Sequence, residues 1–203
     1  YPHIKYPCAV TTHFAYLERP ELMGPYKQRV FDHFAKIQPN VFGLSAGINR
    51  VYENEGVPSN KLFFNPNGVN LSNFRTTTDP EFAERSLYLA TIDHRKRQYL
   101  FQDIESLWYA GNVRDDRFDT NKNYLGEWNK DVLYDYLTEY GNLVLLSDGE
   151  AHPLVCMEAF AAGLGVVVSE WGAANLNPLR EFITIIPESK INDSVFVVDA
   201  ISK

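Results

Sequence analysis

The chain has 203 residues, 45% of them hydrophobic, with 13 Phe, 12 Tyr and 3 Trp, enough apolar material for one or two globular domains with a sizeable core. Its net charge of −7 argues against a nucleic-acid backbone as main partner and disfavours adhesion to an anionic membrane, since both select a basic face. The 2 cysteines, Cys8 and Cys156, form no CxxC, so neither a disulfide framework nor a zinc site is expected, a reducing cytoplasmic setting is the default, and no apolar run approaches the ~18 residues of a transmembrane helix.

Cys8 to Thr12 reads as a short buried strand. Residues 25–37 carry Val30, Phe31, Phe34 and Ile37 at helical spacing, with Pro25 near the start, and predict a helix. Val41 to Ser45 predicts a second strand, Ala46 to Glu55 a helix closed by Gly56, and Lys61 to Phe64 a third strand. Residues 66–80 hold Pro66, Gly68, Thr76-Thr77-Thr78 and Pro80, which is linker chemistry. The domain boundary is expected there: a partial N-terminal domain over 1–68, a linker to about residue 80, and a C-terminal domain over 81–203. The second segment opens with a strand at Leu87 to Ala90, and Arg97 to Asp103 predicts a helix. Leu107 to Ala110 predicts a strand ending at Gly111, and the polar residues 112–124 a loop. Val132, Leu133, Tyr136 and Leu137 mark a further helix. Leu143 to Leu146 and Val166 to Ser169 are strands bracketing a polar loop and a short helix, and Ile183 to Ile186 is a late strand. Alternating strands and helices predict an α/β fold with parallel sheets. The chain opens at Tyr1 and closes amid the apolar Val195 to Val198, so both ends are expected to be cut from something longer.

The stretch Asp148-Gly149-Glu150-Ala151-His152-Pro153-Leu154-Val155-Cys156-Met157-Glu158 carries the most chemistry. Glu150 would sit on the loop leaving a strand and Glu158 one turn inside the next helix. Pro153 suits the first helical position, where its missing N–H costs nothing. The free N–H groups of Leu154 and Val155 would then face the loop, and a helix start of this kind binds phosphate. Two acids beside an anion site suit a sugar nucleotide, which presents phosphates to donors and hydroxyls to carboxylates. Thr91, Lys96 and Glu150 each follow a predicted strand, and ligands of open parallel sheets bind at the carboxyl ends of strands, so these residues are expected to converge on one crevice. The chain has no Gly-x-Ser-x-Gly elbow, no phosphate loop of the Gly-x4-Gly-Lys-Ser/Thr type, no Gly-x-Gly-x-x-Gly, and no His–carboxylate cluster at metal spacing.

Glu150-x7-Glu158, followed by Ala159 and Ala162-Gly163, resembles the paired-glutamate motif of retaining glycosyltransferases of the family 4 type, which have the two-domain glycosyltransferase B fold. Val41 to Ser45 resembles the last strand of that family's N-terminal domain, Asn65 to Asn70 with Phe74 its linker, and Leu87 to Gln98 the first strand and phosphate loop of its C-terminal domain. The likeness covers roughly residues 8–185. It implies Rossmann-like parallel-sheet domains, with a truncated acceptor-side domain followed by a nucleotide-sugar domain. The implied reaction moves a sugar from a UDP- or GDP-linked donor to a hydroxyl of a carbohydrate, lipid-linked or protein-linked glycan, with retention, in glycan biosynthesis. Glu158 would accept both ribose hydroxyls, and Glu150 would contact donor-sugar hydroxyls near the reacting centre. Lys96 would neutralise the diphosphate as charge builds on the leaving group. Thr91, Arg95, His152, Pro153, Leu154 and Val155 fall on the donor side, His13 on the acceptor side, and Ser169, Trp171 and Gly172 on the rim. No cofactor or divalent metal is implied. The family usually has Gly-Arg where this chain has Ala90-Thr91, so the second cation is missing there; either Arg95 or Arg97 replaces it or phosphate affinity is lower. The truncated first domain further predicts poor transfer by these 203 residues alone. Two other readings stay open: a module that binds a nucleotide or phosphosugar without transfer, and a sugar-nucleotide epimerase of similar fold.

Overall fold

The computed structural model describes residues 8–75, 77–173 and 175–202. They form two compact units, Tyr1–Asn67 with Gly149–His152, and Gly68–Asp148 with Pro153–Lys203.

The first unit contains β1 (Ala9–Thr11), α1 (Tyr26–Ile37), β2 (Asn40–Gly43), α2 (Ala46–Asn54) and β3 (Leu62–Phe64). The three strands are parallel in the order β1-β2-β3. Ser45 starts α2 because its Oγ accepts the Ile48 N–H at 2.8 Å, which satisfies one of the free donors of a helix start. Ile48 and Tyr52, one turn apart and fully buried, aim α2 at β2 and β3. The Tyr52 ring stacks on Phe34 at 5.4 Å and meets Phe31 edge-on at 5.6 Å. Its hydroxyl donates to Thr12 Oγ1 at 2.9 Å, and burial pushes the phenol above its ordinary pKa.

The second unit contains β4 (Phe82–Leu89), β5 (Leu107–Ala110), α3 (Lys130–Tyr136), β6 (Tyr140–Leu145), α4 (Leu154–Ala161), β7 (Gly165–Ser169), β8 (Ile183–Ile186) and α5 (Ser194–Ile201). Its five strands are all parallel, in the order β5-β4-β6-β7-β8. Leu87, Leu143, Val144, Leu145 and Val168 are fully buried, as the continuous apolar runs of a covered parallel sheet require. α4 packs on β6 and β7, and α5 on β8. From β4 the chain runs first to β5 on one side and then crosses to β6 on the other. Strand direction of travel thus reverses at β4 and β6, where open α/β sheets bind ligands.

The structure differs from the sequence reading at several places. β1, expected to be buried, leaves Ala9 and Thr11 exposed and Val10 half-buried. No helix forms over 97–103. Instead His94–Lys96 and Gln98–Leu100 are single 3-10 turns separated by Arg97 at φ 59°, and a left-handed L-residue breaks a helical run. β4 starts at Phe82 and β6 at Tyr140, earlier than expected, because their first halves are partly exposed and read as polar. Pro153 is the residue before α4, not its first residue, with ψ 108°. The apolar end folds as α5, capped where Asp193 Oδ1 accepts the Phe196 N–H at 3.2 Å. Among the described residues, no helix is long and apolar enough to cross a membrane.

Candidate functional site

The carboxyl ends of β4 and β5 and the starts of α3 and α4 enclose a cavity of about 420 Å3 in the second unit. Thr91 follows β4, Asn112 follows β5, Lys130 opens α3, and Leu154, Val155 and Glu158 come from the first turns of α4; all six line it. Gly111 forms part of the wall. Its φ is 146°, and a Cβ there would stand 1.9 Å from the Ala90 carbonyl oxygen. Only glycine lets the two strand ends run on this closely. Ile92 N–H donates to Asn112 O, and Arg114 N–H to Ile92 O, each at 2.8 Å, so the β4–β5 pairing continues along the cavity. The Asn112 amide donates to Glu127 Oε2 at 3.2 Å.

α4 supplies two kinds of polar group. The N–H groups of Cys156 and Met157 both donate to the Pro153 carbonyl, at 3.1 and 3.4 Å. Those of Leu154 and Val155 therefore lie outside the helical ladder, at the positive end of the helix dipole. Leu154, Val155 and Glu158 share one face, because residues three and four apart align along a helix. Glu158 is only 5% exposed, and an unpaired carboxylate so deep would be costly. Lys130 forms an ion pair with it while its own side chain stays 56% exposed. The backbone of Lys130 is set by Asn129, whose Oδ1 accepts the Val132 N–H at 2.9 Å and starts α3.

The loop after β4 is tied to β6 through one hydroxyl. Tyr88 Oη donates to the Lys96 carbonyl and accepts the Leu146 N–H, the latter at 2.9 Å. Asp93 Oδ1 accepts the Lys96 N–H at 2.9 Å, and Asp148 N–H donates to the Arg95 carbonyl at 2.8 Å. Lys96 is 9% exposed. Arg97, expected as a replacement phosphate cation, is instead held by Asp148 at 2.7 Å and Glu188 at 2.9 Å. Gln98 Nε2 donates to the Thr91 carbonyl at 3.1 Å and supports the cavity from behind.

Glu150 and His152 belong with the first unit, whose core Ala151 joins. The Asn67 amide donates to the His152 carbonyl at 2.9 Å, which gives the Asn-Gly segment a structural partner. His152 is buried, its Nδ1 has no hydrogen-bond partner, and burial holds its imidazole below the ordinary pKa. Glu150 is half-buried, and His13 is exposed just after β1. The structure therefore gathers Thr91, Leu154, Val155 and Glu158 in one cavity. Arg95, Lys96 and Pro153 stand in the same unit outside its lining, and Glu150, His152 and His13 stand in the other unit. Ser169 and Gly172, expected on a rim, are buried: Ser169 Oγ donates to the Ser147 carbonyl at 2.5 Å and accepts the Gly172 N–H at 3.0 Å. Trp171 is exposed.

Sequence reasoning missed Asn112 and Lys130. Asn112 was accessible through the rule that strand ends carry ligands, since it follows the correctly read strand Leu107–Ala110. Lys130 carried no local signal, because its partner Glu158 is distant in sequence. Among the described residues, no group of three or more His, Cys, Asp or Glu is placed to hold a metal ion.

No protein-family profile and no curated protein matches the sequence. Solved structures do match its fold. One is HepE of Anabaena in complex with UDP and glucose, with TM-score 0.75 and 14% identity over 96% of this chain and 61% of that one. Another is sucrose-phosphate synthase of Thermosynechococcus elongatus, with TM-score 0.73 and 16% identity over 98% of this chain and 60% of that one. A third is the pneumococcal O-GlcNAc transferase GtfA in complex with UDP and GlcNAc, with TM-score 0.71 and 13% identity over 97% of this chain and 44% of that one. The chain spans less than two thirds of the length of each. These likenesses assign its parallel α/β architecture to the glycosyltransferase B fold.

Proposed function

We propose that the protein is a glycosyltransferase that takes a nucleoside diphosphate sugar, UDP- or GDP-linked, and passes the sugar to a hydroxyl of a glycan acceptor with retention of configuration. One observation carries the reading: a nearly buried carboxylate, Glu158, shares a cavity with the free N–H groups at the start of its own helix. A nucleotide presents the matching groups at that spacing, a neutral diol with two donors and an anionic phosphate. The likeness of fold to structures that hold UDP supports the same reading.

On this reading the two ribose hydroxyls donate to Glu158, and the diphosphate lies at the N–H groups of Leu154 and Val155 beside Thr91. Lys96, with Arg95, offsets the charge that builds on the leaving phosphate, which is electrostatic stabilisation of the transition state. Glu150 holds donor-sugar hydroxyls, Pro153 and His152 shape the loop before α4, and His13 serves the acceptor. The bond from the anomeric carbon to the phosphate oxygen breaks as a bond to the acceptor oxygen forms on the same face. The acceptor proton passes to the departing phosphate, so no side chain need act as general base. Neither cofactor nor metal enters.

A thermal-shift panel of nucleotides and sugar nucleotides tests the reading. A ligand at a hundred times its dissociation constant stabilises the folded state by about 2.7 kcal/mol. Diphosphate release is then measured with the stabilising donor and a set of glycan acceptors. Lack of stabilisation by every nucleotide would sink the proposal. Stabilisation without release would leave these 203 residues with donor binding alone, the outcome that their sequence leads one to expect.

A further inference from the structure

We infer that Lys130 is a phosphate-binding cation of this cavity, released from Glu158 by the ligand's own hydroxyls. The inference rests on the reading of the cavity as a nucleotide site. Among the described residues lining the cavity, Lys130 is the one cation, against the carboxylates of Glu127 and Glu158. Without it, the walls would repel an anion. None of the basic residues near the loop after β4 stands in the lining: Arg95 and Lys96, which the proposed function gives to the leaving phosphate, lie outside it, and Arg97 is held by two carboxylates. The α4 dipole amounts to about half a charge, less than a nucleotide phosphate carries.

The geometry suits an exchange. Lys130 neutralises Glu158, which is 5% exposed. A vicinal diol can satisfy the acceptor positions of that carboxylate, but it brings no positive charge. The ammonium must then stay close or find another anion. Glu158 stands four residues beyond Leu154, about 6 Å along the axis, so a phosphate at the helix start lies within reach of the four-carbon lysine stem. Lys130 can turn to it cheaply, since its side chain is 56% exposed and never loses its hydration fully. The cavity is thereby selective for a ligand carrying both features, a free 2′,3′-diol and a phosphate.

The test is calorimetric titration of the full chain with uridine and UDP, and with guanosine and GDP. Wild type is compared with Lys130→Met, Lys130→Arg and the double variant Lys130→Met/Glu158→Gln. For the base that wild type prefers, the ratio of nucleotide to nucleoside affinity should fall by about tenfold or more in Lys130→Met, as for loss of a charged hydrogen bond. Lys130→Arg should keep most of the ratio. The double variant leaves no unpaired buried charge, so it should fold even if the single one does not, and it should show the same collapse. A ratio unchanged in the variants that fold would overturn the role of Lys130 and leave the nucleotide site standing. Failure of wild type to bind either nucleotide would instead overturn the proposed function.

Discussion

Glu158→Gln keeps the shape of the side chain and removes its charge. In the proposed complex the carboxylate accepts two ribose hydroxyls, and hydrogen bonds to charged groups contribute roughly 1.5–3 kcal/mol. Wild type must loosen the Lys130 pair to make them. That pair is half in water, with 56% of the lysine side chain exposed, and exposed pairs contribute only about 0–1 kcal/mol. Set against that cost, the net loss in Glu158→Gln is about 0.5–3 kcal/mol, or roughly 2- to 150-fold in dissociation constant. The fold should tolerate the change, because Lys130 can return to solvent and Gln retains an acceptor. Calorimetric titration with the preferred diphosphate and with its 2′,3′-dideoxy analogue isolates the contact. Wild type should lose affinity for the analogue, whereas Glu158→Gln should bind both about equally. If the analogue is penalised alike in both proteins, or if Glu158→Gln binds the diphosphate as wild type does, Glu158 does not hold the ribose.

Tyr88→Phe removes the hydroxyl shared by Lys96 O and Leu146 N, and each buried group left unpaired costs about 1–3 kcal/mol. Urea denaturation should show that loss, and an unchanged midpoint would mean that the hydroxyl ties nothing. Gly111→Ala forces a Cβ to within 1.9 Å of Ala90 O at φ 146° and should cost more than about 1 kcal/mol while abolishing nucleotide binding; a variant that folds and binds normally would show that the wall can yield. Burial lowers the His152 pKa in the folded chain, below the ordinary value near 6.5. As pH falls through about 6.5 the unfolded chain takes up this proton first, so the stabilisation present above that pH is lost below it. His152→Asn should reduce the difference in urea midpoint between about pH 7.5 and about pH 5.5, and an identical difference would remove His152 as its source.

Short, largely apolar runs made β5 and β8 legible at their observed bounds, Leu107–Ala110 and Ile183–Ile186. The strand before β7 was also legible, but its start was not. Tyr140-Gly141-Asn142 lies at the partly exposed end of β6 and looks like a loop. Similarly, Glu84 and Arg85 disguise the first half of β4, although the Arg85 guanidinium lies 4.8 Å over Phe82 and 4.5 Å over Trp108. The false helix at 97–103 has the clearest cause. Its residues suit a helix locally, but Arg97 is drawn into a left-handed conformation with ion pairs to Asp148 and Glu188. Both partners are far away in sequence, so no local pattern could announce them.

Much the same division applies to the site. Hydrophobic periodicity, Pro153 and the spacing of Glu158 from Leu154 determined by themselves that a buried acid would stand one turn beyond the start of its own helix. These are local properties of one helix, and helical geometry alone converts them into positions. The order of strands β5-β4-β6 decided that this helix start would meet Thr91 and Asn112. Packing decided that Ala151 would anchor Gly149–His152 in the first unit. It also decided that Lys130 would be the counter-ion of Glu158. Such pairings depend on where separate elements come to rest, and burying a charge beside a distant partner is a property of the assembled sheet and helices that no single stretch of chain contains.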